Sequence, residues 1–393
     1  MTLDELKHDI QRMEAELIAI RRHLHANPEP GMEEVETSKY IVEQLQGYNM
    51  DAVTPTGEVG VIAAVNPGKG KCIAIRADID ALRVEEATGV AWASQRPGVM
   101  HACGHDIHIT CLLGAAKVIA AHKEDFDCTV KFIFQPAEER GQGAKYMISH
   151  GALDNPKPDY IIGLHCWPGM PAGTIYHRSG MMSAASDRFV LKVKGKPGHA
   201  AHPELAVDPI YIASQIVVNT QSIISRELSA LESAVLSFTS IHGGRGGNVI
   251  GDAVELKGSI RSLSAEGREL IHRRLREIAE GIAAAHGGNC EVALTSGTPM
   301  LSNDPFVSEV IKRAAKEVFG EAAYIENPHE TMGSEDFAYY LESVPGAMFR
   351  LGCGFKDKDN PPLHSNRMNP DEDCIRVGVL MHSMTVYYLS KSY

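Results

Sequence analysis

Between Arg188 and Thr295 the chain follows a pattern that few folds accommodate. Phe189–Lys194 reads as a strand, Asp208–Ser225 as a helix, and Ala234–Ile241 and Val254–Leu263 as strands. Ala265–His286 then reads as a long helix and Glu291–Thr295 as a last strand. The order β-α-β-β-α-β is that of a ferredoxin-like unit, which buries its own core and can fold as a separate domain. The flanking sequence has a different texture. Cys72–Arg76, Thr129–Phe134 and Tyr160–Leu164 read as buried strands, and Asp106–His122 as a helix capped by Asp106. After the inserted segment, Asp304–Phe319 resumes a helix and Ala347–Leu351 a strand. Alternation of this kind predicts an α/β fold with helices on both faces of a sheet. The expected architecture is a larger domain, residues 1–182 and 298–393, with a mixed central sheet flanked by helices. Into it is inserted a ferredoxin-like α+β domain, residues 183–297.

Length supports the division, because 393 residues exceed what a single hydrophobic core usually serves. Charge restricts the partners. With 38 Lys and Arg against 50 Asp and Glu, the net charge is −12, which favours neither nucleic acid nor an anionic membrane surface. Leu3, Leu6, Ile10, Met13, Leu17 and Ile20 recur at steps of three and four, the stripe of an amphipathic helix and not of a signal peptide. No run of 18 apolar residues is present to span a membrane. The eight cysteines are scattered without a CxxC pair, as buried thiols of a reducing compartment would be. The cytoplasm is the expected location.

Chemistry concentrates in His101-Ala102-Cys103-Gly104-His105-Asp106-Ile107-His108. Three histidines and a cysteine within eight residues, just before a helix, exceed what a structural loop needs. A thiolate and an imidazole two residues apart can reach one metal from a turn, and both suit zinc and its neighbours. A buried cysteine among surface histidines, and a thiol nucleophile with a histidine base, are the other readings. Gln135-Pro136-Ala137-Glu138-Glu139 follows an apolar strand, where one carboxylate can ligate a metal and the other take a proton from water. His165 follows the strand Tyr160–Leu164, Asp78 follows Cys72–Arg76, and His364 lies after Ala347–Leu351. Sites in open α/β sheets form at such strand ends. In the inserted domain, Gly195–Pro203 (with His199 and His202) and Gly243–Asn248 are candidate substrate loops, whose His199 and Asn248 can donate to a developing oxyanion. The second loop lacks the form of a phosphate-binding loop.

These motifs occur in the order of a known family. Arg76–Leu82, His101–His108, Pro136–Glu139, Gly163–His165, Gly198–Pro203, Asn248–Ile250, Ser334–Phe337 and Leu363–Ser365 together resemble the M20 metallopeptidase superfamily, in its amidohydrolase branch. The likeness runs along nearly the whole chain. It implies hydrolysis of the amide bond of an N-acyl amino acid, acetyl, benzoyl or similar, by two divalent ions (Zn, Mn, Co or Ni). It implies that Cys103 bridges the metals, that His105 and His165 complete one site, and that Glu139 and His364 complete the other. Glu138 would be the general base and Asp78 the group that orients His105. The smaller domain would serve as lid and dimerisation unit of a homodimer or tetramer, and the histidine matching His199 reaches the active site in relatives, often the partner's. Arg83, Gly251, Asn366 and Asn369 depart from the family's usual residues and bear on pocket shape, leaving every ligand and the base in place.

Other activities are consistent with part of this pattern. A dipeptidase or carboxypeptidase of the same superfamily would use the same metals. A cysteine-nucleophile enzyme would leave Glu139, His165 and His364 without a role, and a non-catalytic metal-binding protein would not need Glu138. Arg261 and Asn248 are candidates for a substrate α-carboxylate.

Overall fold

The computed structural model describes residues 2–391. The chain divides into two compact units, one made of residues up to 180, 302–329 and 336 onward, the other of 181–301 with 330–335.

The larger unit is built on a mixed sheet. Its strands follow the order Ala52–Pro55, Val61–Asp78, Tyr160–Pro171, Gly346–Gly354, Ile175–His177 and Tyr324–Glu326, with Cys128–Gln135 paired to Val61–Asp78. The long segment Val61–Asp78 doubles back on itself. Val61 stands opposite Phe134 and Val65 opposite Val130, whereas Cys72 stands opposite Thr129 and Asp78 opposite Gln135. The reversal falls where Asn66, Gly68 and Gly70 adopt positive φ, a conformation glycine takes without steric cost. Gly346–Gly354 runs parallel to Tyr160–Pro171 and antiparallel to Ile175–His177. Cys128–Gln135 and Gly346–Gly354 are buried at every position, as strands covered on both faces must be. Helices His105–Ala121 and Cys374–Lys391 are buried along most of their length and supply part of that cover.

The N-terminal stripe forms two helices, Leu3–Arg12 and Glu14–Ala26, meeting at Met13. Asp106 does not cap the following helix, which starts at His105 behind Gly104 in the left-handed conformation, φ 81°. Asp106 is buried and pairs with Arg21 Nε at 2.9 Å and His25 Nδ1 at 2.8 Å. The physical reason is space. A Cβ on Gly104 would lie 2.3 Å from Cys166 Sγ, so glycine makes the turn and the acid is carried inward to a cation. All eight cysteines are buried and unpaired. Among the described residues no helix is long and apolar enough to cross a membrane.

The smaller unit has a four-stranded antiparallel sheet in the order Asn289–Ser296, Ala185–Lys194, Ala253–Ser262, Ala234–Gly243. Helices Pro209–Asn219 and Ala265–Ala285 pack on it around Phe189, Leu191, Val193, Ile212, Ile216, Leu256, Ile271 and Leu275. Burial alternates along Ala185–Lys194, so one face is open. Helix Pro209–Asn219 begins where expected, with Asp208 accepting from the Ile210 and Tyr211 N–H groups, but it ends at Asn219 and gives way to a π turn at Ile223–Glu227.

Asp187 anchors this unit. Its buried carboxylate accepts from Arg268 at 2.7 and 2.5 Å, from Gly297 N–H at 2.9 Å, and meets His272 Nε2 at 2.7 Å. Burial alone would raise its pKa, but Arg268, His272 and the Gly297 N–H outweigh burial and hold it well below the ordinary carboxylate range. A depressed folded pKa adds stability that is present above the unfolded value, about 3.9 for Asp, and drains away as pH falls below it. Asp187→Asn should therefore destabilise the protein at pH 7 by about 1.5–3 kcal/mol, the range for hydrogen bonds to a charged group. Thermal unfolding of both proteins at pH 7 and in mild acid checks this. The gap should narrow in acid, and a gap independent of pH would contradict the assignment.

Candidate functional site

Strands of the larger unit deliver polar side chains, two of them at or just beyond their carboxyl ends and the third from within, because its strand runs on past Leu164 to Pro171. Val61–Asp78 ends on Asp78, Cys128–Gln135 leads into Glu138 and Glu139, and Tyr160–Pro171 carries His165. Cys103 and His105 arrive from the turn that opens the helix His105–Ala121. Two non-glycine residues here have left-handed backbones, Ala137 at φ 53° and His364 at φ 67°. Such conformations persist only where surrounding contacts impose them. For Ala137 the contact is its N–H, which donates to Glu34 Oε1 at 2.8 Å and turns the chain so that Glu138 and Glu139 follow at once.

The result is a cluster of ligand atoms. Those of Cys103, His105 and His165 lie within 4.8 Å of one another, and those of Cys103, Glu139 and His364 form a second group that shares the thiol. Cys103 Sγ is 3.4 Å from His165 Nε2, and Glu139 Oε1 is 3.3 Å from His364 Nε2 and 3.9 Å from His105 Nε2. His105 Nδ1 donates to the Asp80 carbonyl at 2.8 Å and His165 Nδ1 to the Cys166 carbonyl at 2.8 Å. Each ring is thereby held in the tautomer whose Nε2 lone pair faces the cluster, the arrangement in which histidine binds metals. His105 Nε2 and Glu139 Oε1 are enclosed and make no hydrogen bond. Two acceptors that confront each other with no donor between them fit a cation. The donor set of sulfur, imidazole and carboxylate fits zinc, manganese, cobalt and nickel.

Electrostatics point the same way. Burial pushes the Cys103 thiol well above its ordinary pKa, and the neighbouring His105 draws it back only in part. Burial disfavours the charged form of His105, but Asp78, Cys103 and Asp80 outweigh it and hold the ring well above its usual value. Burial raises Glu139, yet His364 and His105 keep it below the ordinary carboxylate range. Surroundings that draw positive charge to His105 also favour a metal ion, and an ion against the sulfur would turn the thiol into a thiolate.

Asp78, expected to orient His105, does something else. Its Oδ1 takes His108 Nδ1 at 2.5 Å and its Oδ2 takes the Arg76 guanidinium at 2.8 Å, leaving His105 Nε2 at 3.7 Å. The orienting group is Asp80, because the Nδ1 edge of His105 faces the loop beyond the strand and meets a backbone carbonyl there. His108 in turn accepts from the Cys166 N–H at 2.8 Å and ties the helix to the strand that carries His165. Sequence reasoning gave neither Asp80 nor His108 a role. His108 stands three residues after His105, a spacing that shares one helix face, and that was its available signal.

Behind Glu138 lies a buried network. Asp336 accepts from Arg76 at 2.7 Å, from Gln135 Nε2 at 2.7 and 2.9 Å, and from the Ala144 N–H at 2.9 Å. The Asp336 N–H donates to Glu138 Oε1 at 3.3 Å. Glu138 also falls within 4.8 Å of ligand atoms of His105 and Glu139. The network fixes the carboxylate beside the cluster from the side away from it.

The remaining candidates lie in the smaller unit. His199 pairs with Val249 across a short two-stranded ladder, and the Ala200 N–H donates to the Asn248 carbonyl at 3.0 Å, so His199 and Asn248 are neighbours. His199 Nδ1 accepts from the Ala201 N–H at 3.0 Å, which leaves its Nε2–H as a donor. Arg261 is not with them. It sits near the far end of Ala253–Ser262, opposite Ser186 and Val235, and donates to Ser334 Oγ at 2.7 Å.

The sequence profile of Peptidase family M20/M25/M40 matches residues 74–387. An N-acetyl-L-cysteine deacetylase of Bacillus subtilis is 40% identical over 88% of this chain and 82% of its own. The thermostable carboxypeptidase 2 of Saccharolobus solfataricus is 36% identical over 97% of each chain. Among solved structures, the Bacillus subtilis YXEP protein, described as a dinuclear metal binding peptidase from the M20 family, superposes with a TM-score of 0.85. It is 33% identical, with 98% of this chain and 100% of that chain covered.

Asp336→Asn tests the network. An amide nitrogen would face Arg76, Gln135 or the Ala144 N–H, and Arg76 would lose a counter-charge. Breaking a buried pair on one side costs about 3–5 kcal/mol, to be read from urea unfolding. A loss under about 1 kcal/mol, typical of exposed pairs, would contradict the account.

Proposed function

The chain belongs to peptidase family M20/M25/M40, and from that premise we propose that this hydrolase cleaves the amide bond of N-acyl amino acids, releasing a carboxylic acid and the free amino acid. The observation that carries the reading is the pair of ligand groups sharing Cys103, with Glu138 beside them. In this reading Cys103, His105 and His165 hold one divalent ion, and Cys103, Glu139 and His364 the other. Bound ions of the zinc, manganese, cobalt or nickel type polarise the scissile carbonyl and make water more acidic.

Glu138 then carries the proton traffic. Its carboxylate accepts a proton from the water that attacks the carbonyl carbon, and returns it to the nitrogen as the C–N bond breaks. The Asp336 N–H donates to Glu138 Oε1 and helps to hold the carboxylate where it can take the proton. Asp80 and Cys166 carbonyls keep the two imidazoles in the ligating tautomer throughout. The Nε2–H of His199 and the amide of Asn248 suit a developing oxyanion, and this is the role we assign them. Arg261, held by Ser334 apart from that pair, is not given a part with them.

The deacetylase relative supports an acyl amino acid as substrate, and the carboxypeptidase relative keeps a peptidase reaction as the second reading. A homodimer formed through the smaller unit is part of the proposal. Support comes from the edge strand Ala234–Gly243, with Ile241 exposed, and from Ile210, Tyr211 and Val218 exposed on Pro209–Asn219. A strand edge and an apolar helix surface that water would otherwise face are what such contacts cover. Eight buried, unpaired thiols support a reducing compartment such as the cytoplasm.

Amine release from N-acetyl and N-benzoyl amino acids and from dipeptides, before chelation, after it, and after metal is restored, tests the reaction. Glu138→Ala should keep its metal and lose about 10²–10⁴-fold in turnover, whereas His364→Ala should lose metal as well, measured by elemental analysis. Full turnover by the Glu138 variant would sink the assigned mechanism, and cleavage confined to dipeptides would favour the peptidase reading.

A further inference from the structure

Among the described residues, three arginines are buried, and two of them have counter-charges. Arg21 meets Asp106 and Glu372, and Arg76 meets Asp78 and Asp336. The third, Arg350, is 8% exposed and its side chain makes no ion pair or hydrogen bond among the described residues. Its guanidinium carbon lies 4.0 Å from the centre of the Trp167 ring and 5.9 Å from that of Tyr176. None of its nitrogens is sealed off without a partner, so the donor edge of the fork reaches solvent.

The position matters more than the isolation. Arg350 pairs in register with His165 on one side and with Tyr176 on the other. Residues paired across neighbouring strands share a face of the sheet, with Cα atoms about 5 Å apart. Arg350 therefore stands on the face from which His165 turns toward Cys103, one strand further along. Trp167, two residues beyond His165, is on that face as well. Tyr176 is held in place by its hydroxyl, which donates to Asn327 Oδ1 at 2.7 Å. Aromatic rings attract a guanidinium but leave all five of its N–H donors unused. A charge placed in such a slot without a counter-ion is disfavoured unless something brings one, and the planar fork suits a carboxylate. Burial lowers the Arg350 pKa, with no carboxylate acting against it, which agrees with the missing counter-charge.

We propose that Arg350 binds a carboxylate of the substrate, with Trp167 and Tyr176 holding the guanidinium so that its donor edge meets that group beside the Cys103 cluster. The proposal rests on the amidohydrolase reading and narrows it to substrates that carry a carboxylate close to the scissile amide. That carboxylate is either the amino acid's own α-carboxylate or the far end of a dicarboxylic acyl group.

Two substrate pairs separate the sources. One compares an N-acetyl amino acid with its carboxamide, and the other compares the N-succinyl and N-butyryl derivatives of one amino acid amide. The wild-type protein should prefer the carboxylate-bearing member of one pair by at least about ten-fold in kcat/KM. Arg350→Met should bring that preference close to one, and Arg350→Lys should keep part of it. The pair that responds identifies the source. A readout independent of turnover uses the two tryptophans of the chain. In a Trp92→Phe background the holoenzyme reports through Trp167 alone, and succinate should change its fluorescence saturably, with an affinity at least about ten-fold weaker in Arg350→Met. Unchanged preference in both pairs, or unchanged succinate affinity in Arg350→Met, would overturn the proposal. If the wild-type protein cleaves none of the four compounds, the amidohydrolase reading falls, and the succinate titration still decides the role of Arg350.

Discussion

Facing acceptors in a buried place are the constraint on which the larger unit depends. His105 Nε2 and Glu139 Oε1 are enclosed, 3.9 Å apart, with no donor between them, and Cys103 Sγ closes the group. Each buried polar atom without a partner costs about 1–3 kcal/mol, and the raised pKa of His105 marks a place that draws positive charge, whether a proton or an ion. A fold tolerates such a cluster only if its geometry is imposed from outside and a cation satisfies it. The first condition is visible in the hydrogen bonds around it. The Asp80 and Cys166 carbonyls fix the rings, Glu34 fixes the turn at Ala137, and Arg76 with Asp336 anchors the backbone beside Glu138.

The sheet converts that constraint into architecture. Strands buried on both faces carry few polar side chains along their length, Lys131 and Arg350 being two, so much of the chemistry gathers at or beyond their carboxyl ends. Val61–Asp78 makes room by folding back, so that one segment pairs with Cys128–Gln135 on both of its edges. Gly104 brings Cys103 and His105 in from the helix side, and only a residue without a Cβ clears Cys166 there.

What the sequence revealed follows from how local each signal is. The run His101–His108 is informative because its donors are neighbours in the chain, and the β-α-β-β-α-β pattern because each element shows its own period. Contacts made through space were not legible. Asp106 carries the chemistry of a helix cap, yet its partners Arg21 and His25 come from a helix more than 80 positions earlier, and His25 alone is 81 away. Asp336 is 260 positions from Arg76, and Asp80 meets His105 Nδ1 through its backbone carbonyl at 2.8 Å with its carboxylate 3.2 Å away, across 25 positions of chain. Arg261 was grouped with Asn248 on chemistry alone. An extended strand of ten residues spans about 33 Å, enough to separate two residues that lie 13 positions apart in sequence.

The most direct test of the account is the electronic spectrum of the chelated protein as cobalt(II) is added. A thiolate bound to cobalt(II) absorbs strongly in the near ultraviolet, and the chain has seven other cysteines, all buried, as internal controls. The account predicts that this absorption grows with added cobalt and levels off near two equivalents. It should vanish in Cys103→Ser and persist when Cys166 or Cys353 is replaced instead. Absorption that survives the loss of Cys103, or cobalt bound with no such band, would contradict a centre built on that thiol.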